Sequence, residues 1–272
     1  MKQFIRKFMP PIVFDILRKF KSSRYGWYGD YQTWEDAKKD SIGYDSDKII
    51  QKVRASLLKV REGKAIYERD SVIFDEIQYS WPLLAGLMYA AAKSGGVLKV
   101  CDFGGNLGST YYQNRKFLAR MKEVSWSIVE QRHFVDVGKT DFENDQLKFY
   151  YDLQFCVIER NPNVLLLSSV IQYTEKPYEV LNELLKHNFE FIIVDRTPFN
   201  TKPRDRLTVQ VVPPWIYEAS YPCWFLHESK FLQIFKDHNY NLLESFYSLD
   251  GVTREYVFKG FIWERIDCSK GI

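Results

Sequence analysis

Residues 97–109 read Val-Leu-Lys-Val-Cys-Asp-Phe-Gly-Gly-Asn-Leu-Gly-Ser, an apolar run that stops in a glycine-rich turn. The run has the length and texture of a buried strand, and the glycines let the backbone turn sharply and approach a ligand closely. The helix expected after it offers unpaired N–H groups. Outward from this stretch, Ser125–Glu130 (SWSIVE), Leu147–Tyr151 (LKFYY), Val164–Val170 and Phe189–Val194 supply four further strand candidates. Pro177–His187 and His227–His238 read as helices, and Asn241–Tyr247 and Glu255–Glu264 as two last strands joined at Asp250-Gly251. Strands alternating with helices predict an α/β fold of the Rossmann type, a doubly wound, mostly parallel sheet with a C-terminal antiparallel hairpin.

The N-terminal third has a different character. Apolar positions from about Asp47 to Gly63 predict one helix, and Phe74–Lys93 a second, kinked at Pro82 and ended by Ser94-Gly95-Gly96. Residues 22–45 are rich in Gly, Tyr, Trp and Asp and predict a loop with one short helix. The expected division is a basic amphipathic arm (1–24), a helical and aromatic lid segment (25–95) and a Rossmann-like domain (96–272). Trp27, Tyr31 and Trp34 are candidates for the cover that such a lid provides, or for a hydrophobic clasp onto the sheet. The Glu68-Arg69-Asp70 triplet has no place in the minimal sheet.

The chain has 272 residues, 17% of them aromatic, which excludes a disordered protein. Its formal charge of +3 is unevenly distributed. Residues 1–24 carry seven basic side chains against Asp15 alone, so the remainder is slightly acidic. That pattern argues against a globally basic nucleic-acid binder. In the arm, Ile12, Val13, Ile16, Leu17 and Phe20 share one helical stripe opposite Asp15, Arg18 and Lys19. A helix packed on the domain and an interfacial helix on an anionic membrane both satisfy this pattern. The four cysteines and four histidines show no ligand spacing, so no metal is expected. No secretory signal or membrane-spanning run is evident, and a cytoplasmic protein, peripheral on the inner face of the membrane, is expected.

The spacing of the glycine turn bears on the ligand. A dinucleotide fingerprint from Gly104 would need glycine where Asn106 and Ser109 stand. The pattern Asp102-x-Gly104-x-x-x-Gly108 instead resembles motif I of class I S-adenosylmethionine (SAM)-dependent methyltransferases. The segments DFGGNLGSTYYQNR (102–115), SIVEQ (127–131), LLLSSVIQY (165–173), VDRTPF (194–199), RLTVQ (206–210) and SYPCW (220–224) together resemble one narrower group, the methyltransferases associated with bacterial surface-polysaccharide gene clusters. The resemblance covers about residues 25–265. It departs from the broader superfamily at Asn106, where glycine is commoner.

The resemblance implies SAM as cofactor, with Asp102, Gly104, Gly105, Asn106 and Gly108 around its methionyl end. It implies further that Glu130, beside Gln131, accepts both ribose hydroxyls, that Asp152 faces the adenine, and that Ser169 and Gln172 line the methyl-transfer site. The acceptor it implies is a glycan or glycolipid precursor. A hydroxyl acceptor needs a general base, for which Asp195, Tyr173 and His227 are the candidates. His227 also stands where a helix needs its N-cap, and Asp195 beside Arg196 equally suits a structural ion pair. Arg196, Arg206 and Gln210 suit an anionic or sugar acceptor, and Tyr221 and Trp224 a stacked sugar face. A non-catalytic scaffold of a polysaccharide-assembly complex and a nicotinamide-dependent oxidoreductase are the competing readings. The glycine spacing disfavours the second.

Overall fold

A computed structural model describes residues 25–43 and 46–266, so the basic arm and Cys268 lie outside the described residues. In chain order the elements are β1 (Gly26–Tyr31), α1 (Trp34–Lys39), α2 (Ser46–Arg61), β2 (Tyr67–Arg69), β3 (Val72–Phe74) and α3 (Trp81–Lys93). Next come β4 (Val97–Phe103), α4 (Ser109–Leu118), β5 (Glu123–Val129), α5 (Arg132–Asp141), β6 (Leu147–Tyr150), α6 (Leu153–Arg160) and β7 (Val164–Ser168). A 3₁₀ turn (Ile171–Tyr173), α7 (Pro177–Leu185), β8 (Phe191–Asn200), β9 (Arg206–Val211), β10 (Ser220–Phe225), α8 (Glu228–Asp237), β11 (Tyr240–Val252) and β12 (Tyr256–Arg265) follow among the described residues.

The chain divides into two compact units. The larger, whose described residues are 46–206 and 224–266, is built on a seven-stranded sheet of order β11-β12-β8-β7-β4-β5-β6. Strands β4 to β8 run parallel, while β12 is antiparallel to both β8 and β11, which gives the expected hairpin. The strand order reverses between β5 and β7, on either side of β4, and such a switch point is where open α/β sheets bind ligands.

The central strands are apolar because helices cover both faces. Leu165, Leu167, Ile192 and Val194 are fully buried and join Leu181, Phe231 and Phe235 from α7 and α8 in one cluster. Each such side chain contributes about 1.5–3 kcal/mol relative to exposure. The opposite face buries Leu98, Val100 and Trp126. One strand thus carries Val100 and Asp102 to one face and Cys101 and Phe103 to the other.

The smaller unit, whose described residues are 25–43 and 207–223, contains an antiparallel sheet of order β1-β9-β10. Trp27 pairs with Gln210 across it, and the Thr208 hydroxyl donates to the Cys223 carbonyl at 2.8 Å. Thr33 caps α1 by accepting from the Asp36 amide, and Ile42 is tied to Ser220 through its amide at 2.8 Å. The three aromatic residues suggested as a cover, Trp27, Tyr31 and Trp34, all belong to this unit.

Three sequence expectations are corrected. The helix expected over 74–93 begins only at Trp81, and Phe74 is the last residue of a short strand paired with Tyr67. Pro82 opens the helix instead of kinking it, because its missing N–H is redundant in a first turn. The strand expected over 189–194 runs on to Asn200. Strand β7 stops at Ser168, opposite Asp195, so the rest of β8 extends beyond the parallel sheet on β12 and tolerates Pro198. The last hairpin does not turn at Asp250-Gly251. Those residues fall in an irregularity of β11, and the chain reverses between Thr253 and Tyr256, with the Thr253 amide donating to the Tyr256 carbonyl at 2.8 Å.

Candidate functional site

The sheet brings the ends of β4, β5, β6, β7 and β8 to one edge, and most sequence candidates stand there. After β4 the chain turns through Gly104 (φ 74°) and Asn106 (φ 56°) to Gly108 (φ 100°), the N-cap of α4. A Cβ on Gly104 would meet Val170 Cγ2 at 2.3 Å, so the loop lies against the segment that follows β7. Gly105 lies over Asp102, whose carboxyl carbon would be 2.5 Å from an added Cβ. Asp102 is 1% exposed and accepts from Trp126 Nε1 at 3.0 Å. Burial pushes its pKa up to about 7, against the Trp126 hydrogen bond and with help from Glu130.

Glu130 follows β5 directly. One oxygen accepts from the Gln131 amide at 2.9 Å, and burial likewise raises its pKa to about 7. Gln131 is exposed at the N-cap of α5. Asp152 is the N-cap of α6, its Oδ1 accepting from the Phe155 amide at 3.0 Å, so its position has a structural reason of its own. Phe103, Leu153, Val180 and Leu184 form the apolar lining of a cavity of about 470 Å³ rimmed by Glu175, Glu179 and Glu183.

At the end of β7, Ser169 adopts φ 58° and Gln172 is fully buried. Gln172 Nε2 donates to Ser169 Oγ at 3.1 Å and to the Arg196 carbonyl at 3.2 Å, while its Oε1 and Asn106 Oδ1 are buried with no partner among the described residues. A buried polar atom without a partner calls for a water, an ion or a ligand to complete its bonding. Tyr173 closes the 3₁₀ turn and is half-buried.

Asp195 and Arg196 form a bulge in β8. Both stand opposite Gly260, where the register with β12 shifts, and Arg196 adopts φ 53°. The ion pair expected between them is not made. The Arg196 backbone amide donates to Asp195 Oδ1 at 2.9 Å, but the guanidinium forks onto Asp250 at 2.9 and 3.2 Å and reaches Asp70 at 3.0 Å. Asp195 also accepts from Ser248 Oγ at 2.8 Å and is 2% exposed, and burial raises its pKa above the usual carboxylate range.

His227 is the N-cap residue of α8, yet its ring makes no cap hydrogen bond; its backbone amide donates to Asp205 at 2.7 Å. Its neighbour Glu228 holds Lys259, the register partner of Thr197, and Leu226 bridges to Phe199. His227 therefore sits level with residues two to four places beyond Asp195, about 7–13 Å along β8. Arg206 pairs with Glu255 at 2.9 Å, and Trp224 Nε1 donates to the Glu175 carbonyl at 3.3 Å. Gln210 and Tyr221 belong to the smaller unit, where the Tyr221 and Tyr217 hydroxyls are 3.4 Å apart.

Sequence reasoning assigned no role to Glu68, which the structure buries at this edge. It is 1% exposed, accepts from Ser109 Oγ at 2.6 Å and from the Ser71 amide at 2.7 Å, and its pKa is pushed up to about 7 by burial. A readable signal was the carboxylate inside the aromatic-flanked YERDSVIF stretch (67–74).

The close glycine loop leaves room for backbone approach, one Glu130 oxygen accepts from the Gln131 amide, and Asp102 lies under the loop, an arrangement that can hold a nucleoside with a cationic tail. Among the described residues no group of His, Cys, Asp and Glu side chains is placed to hold a metal.

No protein-family profile and no curated protein matches the chain. Solved structures do. The N-terminal domain of EvdMO1, crystallised with S-adenosylhomocysteine (SAH) and D-fucose, covers 82% of this chain over 98% of its own length at 11% identity, with a TM-score of 0.50. Magnesium protoporphyrin IX methyltransferase from Synechocystis PCC 6803, with bound SAM, covers 68% of this chain and 79% of its own at 13% identity and a TM-score of 0.44. A glycopeptide N-methyltransferase complexed with sinefungin covers 67% and 87% at 8% identity and a TM-score of 0.45. The seven-stranded sheet with its C-terminal antiparallel hairpin is the class I methyltransferase Rossmann-like fold.

Proposed function

We propose that the protein is a SAM-dependent methyltransferase that O-methylates a glycan or glycolipid precursor in surface-polysaccharide biosynthesis. The carrying observation is the placement of Asp102 and Glu130 at the ends of adjacent strands around the Gly104–Gly108 loop. In this reading Glu130 accepts the ribose hydroxyls, Asn106 and Gln172 complete their hydrogen bonding on the ligand, and Asp102 faces positive charge. Leu153, next to Asp152, provides apolar surface beside the adenine. When bound, the cofactor supplies an electrophilic methyl group on a sulfonium.

The chain's own task is then to align an acceptor hydroxyl with that methyl and to remove its proton. We assign the proton to His227, whose ring is left uncommitted by the helix it caps. Asp195 is already held by Ser248 and the Arg196 amide, and it shapes the bulge. Arg206 and Trp224, both of the larger unit, are assigned to the acceptor. Arg196 takes part through its backbone and its ion pairs, since its guanidinium is engaged. Residues 1–21 are assigned to the anionic inner face of the cytoplasmic membrane. No described helix is long and apolar enough to cross a membrane.

Calorimetry with SAM and SAH tests the cofactor, and absence of binding by both at about millimolar concentration overturns the reading. Binding of anionic liposomes by the full chain but not by a chain lacking residues 1–21 is the result expected for the arm.

A further inference from the structure

The β2–β3 hairpin pairs with no strand of the large sheet, yet its side chains reach two separate points of the carboxyl edge. Glu68 accepts from Ser109 Oγ at 2.6 Å, and Ser109 is the first residue of α4, directly after Gly108. Two residues on, Asp70 reaches Arg196 Nη2 at 3.0 Å in the bulge of β8. The hairpin thus spans from the turn after β4 to the end of β8.

Its own geometry suits a fixed span. Asp70 (φ 52°) and Ser71 (φ 69°) are both left-handed, as a two-residue hairpin turn requires, but neither is the glycine that usually occupies such a turn. Glu68 holds the Ser71 amide at 2.7 Å, and Ser56 Oγ donates to the Ser71 carbonyl at 2.8 Å. Tyr67 and Phe74 pack at 5.7 Å between ring centres, which would be enough for a hairpin that merely covered apolar surface. Glu68 has no cation partner among the described residues, and a buried carboxyl group of that kind adds cost to such a cover, so its presence calls for a role.

We propose that Glu68 and Asp70 are positioning residues that brace the first turn of α4 against the Asp195–Arg196 bulge. The glycine loop and the bulge then keep one mutual arrangement, although they lie on different strands. Arg196 needs such support, because its left-handed conformation is unfavourable for a long side chain and is over-determined here by Asp70, Asp250 and Ser248. The brace requires no ligand; its consequence, alignment of cofactor against acceptor, rests on the methyltransferase reading.

Residue-resolved hydrogen exchange on the full ligand-free chain tests it, read at the Ser71 amide held by Glu68 and the Arg196 amide held by Asp195 and Ser248. Asp70→Asn is expected to speed exchange at Arg196 about five- to tenfold. Ser109→Ala, a single hydroxyl removed, is expected to speed exchange at Ser71 and, across the hairpin, at Arg196. Should Asp70→Asn not fold, Ser109→Ala decides alone. Unchanged exchange at Arg196 in either folded variant overturns the brace. SAH calorimetry on the same samples separates the two ideas: a chain that binds neither SAM nor SAH defeats the cofactor reading, while the exchange result still decides the brace.

Discussion

A Cβ on Gly105 would stand 2.5 Å from the carboxyl carbon of Asp102, closer than nonbonded atoms approach. Gly105 is glycine because of that carboxyl group, not because of its backbone angles, whereas Gly104 and Gly108 answer to positive φ. Gly105→Ala is expected to cost about 1–3 kcal/mol of stability, since the carboxyl cannot leave without breaking its bond to Trp126. SAM affinity should fall at least about tenfold, a loss of about 1.4 kcal/mol. Thermal melting and calorimetry read the two effects, and wild-type behaviour in both would remove Asp102 from the site.

Glu130 and Asp152 should separate cleanly by substitution. Glu130→Gln keeps the shape but loses the charge that strengthens hydrogen bonds from two hydroxyls, and about a tenfold weaker SAH affinity is expected. Asp152→Ala should instead cost about 1 kcal/mol of stability, through loss of the α6 cap. Calorimetry and urea titration distinguish them, and a larger affinity loss in Asp152→Ala than in Glu130→Gln would reverse the assignment.

Three carboxyl groups, Glu68, Asp102 and Glu130, are held near a pKa of about 7 by burial. Between about pH 4 and 7 the folded chain keeps protons there that the unfolded chain has lost. Their contribution therefore favours the folded state below about pH 4 and is lost as pH rises through about 7. Urea unfolding at intervals from pH 5 to 8 should show stability declining, with a shallower decline in Asp102→Asn. A cationic ligand acts oppositely by favouring the ionised forms. SAM affinity should rise over the same interval with release of protons, detectable as a buffer-dependent binding enthalpy.

Gly260 faces the bulge of β8, and a Cβ there would meet the Phe246 ring at 2.2 Å and the Val194 carbonyl at 2.6 Å. A ring can rotate, but the backbone oxygen of a central strand cannot yield. Gly260→Ala is expected to lose about 2 kcal/mol or more in urea titration. Unchanged stability would show that the hairpin shifts freely against β8.

His227→Gln should abolish methyl transfer and leave SAH affinity and melting temperature unchanged, because the ring makes no cap hydrogen bond to α8. Asp195→Asn should lower the melting temperature, because the carboxyl anchors Ser248 and the Arg196 amide. Mass spectrometry of glycans from strains carrying each variant reads the methyl group, and retained methylation in His227→Gln would return the proton to Asp195 or Tyr173.

The local chemistry was legible wherever one periodicity ran uninterrupted. Val97–Phe103, buried from both sides, announced its strand and its end to the residue. It was misread where two signals competed. The apolar pattern from Phe74 to Lys93 puts Pro82 in mid-helix, but it conceals a strand and a loop, and only the pairing of Tyr67 with Phe74 separates them. The strand predicted to end at Val194 continues through Asp195-Arg196-Thr197-Pro198, whose polarity is spent on partners far along the chain: Asp70, Ser248 and Asp250.

By itself, then, the order of amino acids determined the alternation of strands and helices, the glycine turn and the acids at the strand ends. These follow from local sterics and from burial on both faces of a sheet. Tertiary structure alone decided that Arg196 turns away from its neighbour to two distant aspartates, that the His227 ring is spared from capping, and that Glu68 lies buried against Ser109. Hydrogen bonds and ion pairs depend on distance in space, and residues 41 and 126 positions apart become neighbours only when the chain has folded.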